Sequence, residues 1–487
     1  MNFITASVVW LATLAMPAAA TLELIVQDAA SGKEMPARIH LRDAEGKVVR
    51  APGLPFWRDH FVMPGRARVE LPAGPCTIEI ERGPEWSVFH TNLTLSTAGQ
   101  TNSFALRRLF DLRREGWYAG ETHVHRPPHE MELLMQAEDL DVAHSITWWN
   151  TMATWKPRPD PSPWRDFDGG RVFHDASGED ERDGGALLFL DASRPLPITS
   201  GTKHFPSSLT FAKQGRANGI QWIDAEKPFW WDFPMWIAHG VIDTVGLAHN
   251  HMHRGGVLNN EAWGRPRPPG PYPGPQGNAR WTQDIYYHVL NAGIRLPPSA
   301  GSASGVLPNP VGYNRAFVHL EEPFTWKRWA DGLKAGRSFV GNGPLLRVKA
   351  NGQWPGHVFR FTGPSKIRLE GRLDSRDPIA ALELIQRGKS TRITLPSEFE
   401  AEESGWFLIR AIADVPHTFR FASTAPFYVE VAGKPMRPHA DSVDFFRLWC
   451  RERIDYLEKV PDLDPVRRQE VLTPWKQALE FWSRRQP

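Results

Sequence analysis

Hydrophobic and polar residues change their spacing along the chain, and each change marks a different kind of element. From Thr21 they alternate in short runs, TLELIVQD, PARIHLRD, CTIEIERG and TNLTLST, broken by turn residues such as Ala73-Gly74-Pro75. Period two puts successive side chains on opposite faces of a strand, so residues 21–112 are expected to form a small antiparallel β-sandwich. Between 113 and 344 the strands are brief and apolar, HSITWW, ALLFLD, GIQWID, DTVGLA and RAFVHL, with helical segments or long loops between them. Met131, Leu134 and Met135 share one helix face that Pro127 and Pro128 are placed to start. This pattern predicts an α/β unit with buried strands and a barrel-like layout, in which loops after the strands' C-terminal ends carry the chemistry.

Alternation returns in IRLEGRLDS, AALELIQRG, WFLIRAIAD and FYVEVAG, giving a second antiparallel β domain over 345–440. The tail, 441–487, is helical. Val443, Phe446, Cys450, Ile454 and Leu457 make one apolar stripe, and a second helix starts at DPVRR with Asp464 as cap and Pro465 in its first turn. Two proline-rich loops, WKPRPDPSPW at 155–164 and GRPRPPGPYPGPQG at 264–277, are stiff enough to wall or cover a site.

The first 20 residues read as a signal peptide, with an apolar centre from Ile4 to Met16 and a small-residue end, Ala18-Ala19-Ala20. They lack the usual basic residue before the apolar run. The expectation is a periplasmic or secreted protein with no membrane partner after cleavage, since no other segment is apolar enough to span a bilayer. A length of 487 residues implies two to four domains, and a formal net charge of +2 gives no reason to expect nucleic acid. Cys76 and Cys450 are the only cysteines and belong to no CxxC pair, so thiolate metal chemistry is excluded.

Chemistry-bearing residues gather just past the strands of the middle region. WYAGE leads to His123 and His125, GIQWID to Glu226 and Lys227, and DTVGLA to His249, His251 and His253, while GEDERDGG offers Glu179, Asp180 and Glu181 in a tight turn before a strand. Histidines two apart on an extended chain project to one side and can converge on one point. Four such ligands suffice for zinc or manganese.

GWYAGETHVH, followed by a helix and AEDLDVAHSITWWN, resembles the opening of PHP-type metallohydrolases, whose pattern is Gly-Asp-Leu-His-x-His and then Thr-Asp-His-Asn. GYNRAFVHL and LKAGRSFVGNGPLL are similar to the closing segment of the CehA/McbA-like branch, so the resemblance covers about 116–344. It implies a distorted (β/α)7 barrel, flanked here by the two β domains and the helical tail, with up to three divalent ions at its C-terminal face. Carried over, His123 and His125 match the first histidine pair and Glu179 the bridging glutamate, and His251 is taken from the later cluster. The chain departs from the pattern at Thr147-Trp148-Trp149-Asn150, at Gly301-Ser302-Ala303-Ser304-Gly305 in place of Gly-Ser-Asp-x-His, and at Lys227-Pro228 in place of His-Pro. A full trinuclear site of the family's kind is therefore not expected.

What remains is an exported hydrolase holding one or two Zn or Mn ions through His123, His125, Glu179 and His251. Metal-bound hydroxide would attack an ester, carbamate or phosphoester of a small molecule or glycan. Glu226 would take a proton, Lys227 or Arg315 would hold an anionic group of the substrate, and Trp149 and Trp231 would face it. Alternatively the chain is a non-catalytic binding protein. Ten of the 21 tryptophans lie between Trp148 and Trp281, enough indole surface to line a site for a glycan or aryl ligand.

Overall fold

The computed structural model describes residues 19–154, 162–196, 198 and 201–485; nearly all of the expected signal peptide and most of the WKPRPDPSPW loop lie outside the described residues. The chain is a mixed α/β protein in two compact units. One comprises the residues up to Ile80 with Val88–Leu106; the other takes Glu81–Ser87 and everything from Arg107 onward.

The first unit is the expected β structure. Ala19–Asp28 lies between an antiparallel neighbour, Arg66–Pro72, and Gln100–Leu106, and a five-stranded sheet contains Ala37–Arg42 and Gly74–Glu81. The period-two pattern has the predicted consequence: in RARVELP, Ala67, Val69 and Leu71 are buried and the residues between them exposed. One pairing differs from expectation, because Ala19–Asp28 and Gln100–Leu106 run parallel.

The second unit contains seven strands that position the candidate site: β1 (Trp117–Val124), β2 (Val142–Trp149), β3 (Arg171–Arg182), β4 (Gly185–Leu190), β5 (Trp222–Ala225), β6 (Thr244–Ala248) and β7 (Pro298–Ala300). β1–β2, β2–β3, β5–β6 and β6–β7 pair in parallel, whereas β4 runs antiparallel to both β3 and β5. A bridge between Val124 and Ser304 brings the segment after β7 back to the end of β1. Helix α1 (Met131–Glu138) buries Met131, Leu134 and Met135, as its spacing predicts.

Two sequence expectations need correction. Glu179, Asp180 and Glu181 are not in a turn but in β3, paired with Leu188, Leu187 and Ala186 of β4. The turn comes later, at Asp183-Gly184. Residues 345–440 are not a separate domain either, because Phe421–Thr424 pairs with Ser338–Gly341, which itself pairs with Arg315–His319. The tail joins the same core through Trp482, whose indole N–H donates to the Pro234 carbonyl at 3.0 Å, and through the buried stripe Val443, Phe446, Cys450, Ile454 and Leu457. Asp464 caps the last helix, Pro465–Arg484, accepting from the amides of Val466 and Arg467 at 2.9 Å each. Cys76 and Cys450 are free and buried. Among the described residues no helix is long and apolar enough to cross a membrane.

Candidate metal centre

β1 delivers the histidine pair, and the segment after β7 fixes its aim. The His125 amide donates to the Ser304 carbonyl at 2.7 Å, and the Ala303 amide to the His123 carbonyl at 2.8 Å. Any side chain at 301 would meet the His123 Cβ at 2.5 Å, so only glycine lets the chain pass there. From the other side β2 and β3 present Glu179 directly beside Trp149. Asn150 holds this stretch: its backbone amide donates to the Glu179 carbonyl at 2.8 Å, and its side-chain oxygen accepts from the Glu181 amide at 2.7 Å. The absence of a side chain at Gly178 makes room for the Trp148 ring, which a Cβ would meet at 1.7 Å.

These constraints converge three donor atoms. His123 Nε2 and His125 Nε2 are 2.8 Å apart, and Glu179 Oε2 lies 3.4 Å from the first and 3.1 Å from the second. Ligand atoms around one small divalent ion with bonds of about 2.0–2.2 Å have this spacing. All three residues are buried, and Glu179 Oε2 makes no hydrogen bond of ordinary geometry among the described residues. Electron-rich atoms facing one another out of water demand a proton or a cation between them.

The other face of His123 meets Glu226, with Nδ1 3.2 Å from Oε1. That same oxygen receives the Lys227 ammonium at 2.5 Å and the Asn250 amide at 2.5 Å, while Glu226 Oε2 is buried without a hydrogen-bond partner among the described residues. Lys227 is itself buried, with its Nζ 4.3 Å from the centre of the Trp230 ring. Donor oxygens of Glu179, Glu181 and Glu226 lie within 4.8 Å of one another, so Glu179 belongs both to the histidine cluster and to a carboxylate cluster.

Without a bound ion the charges balance internally. Burial opposes charge on His123, but Glu179 and Glu226 outweigh it and raise the imidazole pKa to about 10. Burial pushes His125 down, so it is the neutral partner. Burial also works against Glu179 and Glu226, yet His123 for the former, and Lys227 with His123 for the latter, hold both below the usual carboxylate range. For Glu181, burial, then Glu179 and Glu226, outweigh the pull of Lys227 and His123 and push it up to about 8.

The remaining sequence-chosen residues separate. His251 stands outside the donor cluster of His123, His125 and Glu179. Its ring packs on Phe229, and burial and Lys227 push its pKa down to about 3. The loop after β6 carries it past the site and brings its neighbour Asn250 in. Arg315 is a core residue rather than a substrate anchor, its guanidinium donating to the carbonyls of Gly312 at 2.5 Å and Glu138 at 3.2 Å. Trp149 does lie at the site, its ring 5.1 Å from that of His125. Trp231 turns the other way, towards Trp449 at 6.2 Å and Arg453 at 5.8 Å, leaving Trp230 as the indole beside Lys227. Sequence reasoning passed over Asn150, Asn250 and Trp230. Each adjoins a residue that was singled out, and only the backbone path selects between such neighbours.

No protein-family model, curated protein or solved structure matches the chain.

Proposed function

We propose that the chain is an exported, metal-dependent hydrolase of the PHP type, CehA/McbA-like branch, acting on an ester, carbamate or phosphoester. The observation that carries this reading is the triangle of His123 Nε2, His125 Nε2 and Glu179 Oε2, with sides of 2.8, 3.1 and 3.4 Å in a buried setting. The seven-strand order, its four parallel pairings and the Val124–Ser304 bridge support a distorted (β/α)7 barrel as the frame. His123 and His125 stand at the C-terminal end of β1, Glu179 near that of β3 and Glu226 just past β5, the face where barrel enzymes work.

A zinc or manganese ion held by His123, His125 and Glu179 would acidify water and polarise a carbonyl or phosphoryl oxygen. The chain's own groups do the rest. Glu226, kept ionised by Lys227 and positioned by the Asn250 amide, accepts a proton from the attacking water. Lys227 neutralises and orients Glu226. Trp149 walls the site, and its buried indole N–H has no hydrogen-bond partner among the described residues, so it is available to a substrate oxygen. That same indole supports the second reading, a protein that binds a sugar or aryl ring without turnover.

Elemental analysis of the purified protein, combined with p-nitrophenyl esters, carbamates and phosphates, tests the proposal. The hydrolase reading expects close to one or more equivalents of metal and turnover of at least one substrate, both lost in His123→Ala. Metal without turnover transfers the support to ligand binding. A protein that takes up no zinc or manganese when offered either ion rules out the metal centre.

A further inference from the structure

We infer that the ammonium of Lys227 stands in for a second cation, so that the site takes one divalent ion and excludes another. This rests on the reading of His123, His125 and Glu179 as metal ligands. The carboxylates of Glu179, Glu181 and Glu226 come within 4.8 Å of one another and share Glu179 with the histidine cluster, which by itself would offer a second ion a bridged position. The side chain of Lys227 already serves that cluster. Its Nζ lies 2.5 Å from Glu226 Oε1, its charge also acts on Glu181, and the Trp230 ring closes off its far side at 4.3 Å.

Charge counting leads to the same result. Even with all three carboxylates ionised, one ammonium leaves at most two negative charges, which one divalent ion cancels. A second ion would add two positive charges in a buried space beside a fixed ammonium. Asp180 is held in a two-point contact by Arg182 at 2.8 Å on each oxygen. Asp232 is engaged by the Ser208 hydroxyl at 2.6 Å, and Asp224 by that of Thr244 at 2.9 Å. A lysine is also suited to this role by shape, since an ammonium is a compact cation that can direct several N–H donors at neighbouring oxygens.

The test is a count of bound ions. Metal-free full-length protein is titrated with Mn2+ and the plateau read by equilibrium dialysis and elemental analysis. Wild type is expected to stop at one equivalent, Lys227→Gln and Lys227→Ala to reach two, and Lys227→Arg to stay at one, with circular dichroism confirming the folded state. Two equivalents in wild type overturn the inference, as does one equivalent in folded Lys227→Gln. Wild type that takes none removes the metal centre itself, a separate failure. Should neither neutral variant fold, electron paramagnetic resonance of Mn-loaded wild type decides: an uncoupled six-line spectrum supports a lone ion, and an exchange-coupled signal refutes it.

Discussion

Loading the metal-free protein with zinc should release protons, because the imidazole that must offer a lone pair is protonated when no ion is present. Glu179 and Glu226 raise the His123 pKa to about 10, while His125 is already neutral because burial lowers its pKa. At pH 7.5 one proton therefore leaves His123, and Glu181, at about 8, gives up part of another as the cation draws it into the ionised form. The expected release is about one to two protons per ion. Each proton displaced makes affinity rise about tenfold per pH unit, so binding should strengthen by about a thousandfold or more from pH 6 to pH 9. Calorimetric titration in buffers of different ionisation enthalpy counts the protons directly. The same shift has a stability consequence of definite sign. The folded pKa lies above the unfolded value of about 6.5, so the imidazolium's contribution to metal-free stability is complete below that pH and fades as pH climbs towards about 10. Release of under about half a proton, or an affinity flat across pH 6 to 9, would refute ligation through a displaced His123 proton.

His251→Ala should keep the metal stoichiometry of wild type, because the imidazole is outside the donor cluster; loss of metal in that variant by elemental analysis would restore it to the ligand set. Asn250→Ala removes a 2.5 Å support from Glu226 Oε1 and should cost about 10- to 100-fold in activity or metal affinity, read from kinetics and dialysis. Arg315→Met should lower unfolding stability by about 3 kcal/mol or more in denaturant titration, since it strips a donor from two buried carbonyls, and should leave metal content unchanged. Trp149→Ala should raise KM for an aryl substrate by about tenfold with a smaller change in kcat, as expected for a binding wall.

Much of this was legible in the sequence where one local rule decides. Period-two alternation located the first unit's strands, the i, i+2 rule brought His123 and His125 to one point, and the Asp464-Pro465 signature placed the last helix. Legibility failed where the deciding partner is distant. Glu179 to Glu181 form a strand rather than a turn because β4 hydrogen-bonds to them, and nothing within GEDERDGG itself reveals that neighbour. Choosing His251 over Asn250, or Trp231 over Trp230, required knowing which way a loop leaves its strand, and a shift of one residue reverses the side that a side chain faces. The domain boundary at 344 was drawn from the return of alternation and the end of the resemblance. Pairing of Ser338–Gly341 with Phe421–Thr424 joins the segments on either side of it.

On the PHP reading proposed above, the differences from that pattern fit together once charge is followed instead of motif. Where that pattern has an aspartate and a histidine this chain has Trp148 and Trp149, and where it has Asp-x-His this chain has Ala303-Ser304-Gly305, so it offers fewer anionic and neutral donors than the pattern. The residues at those positions hold the scaffold: the Gly301 segment seats His123, and Asn150 aligns Glu179 with Glu181. Two fewer aspartates than the pattern leave less negative charge to hold cations, and Lys227, where the pattern has the histidine of His-Pro, reduces it further. Each change alone would leave buried charge unbalanced. Taken together they leave a site whose electrostatics suit the single ion proposed above. Two buried carboxylates, the half-buried Glu181, two converging imidazoles and the ammonium beside them hold together as one charge-balanced group, since each charge is costly to bury without the others.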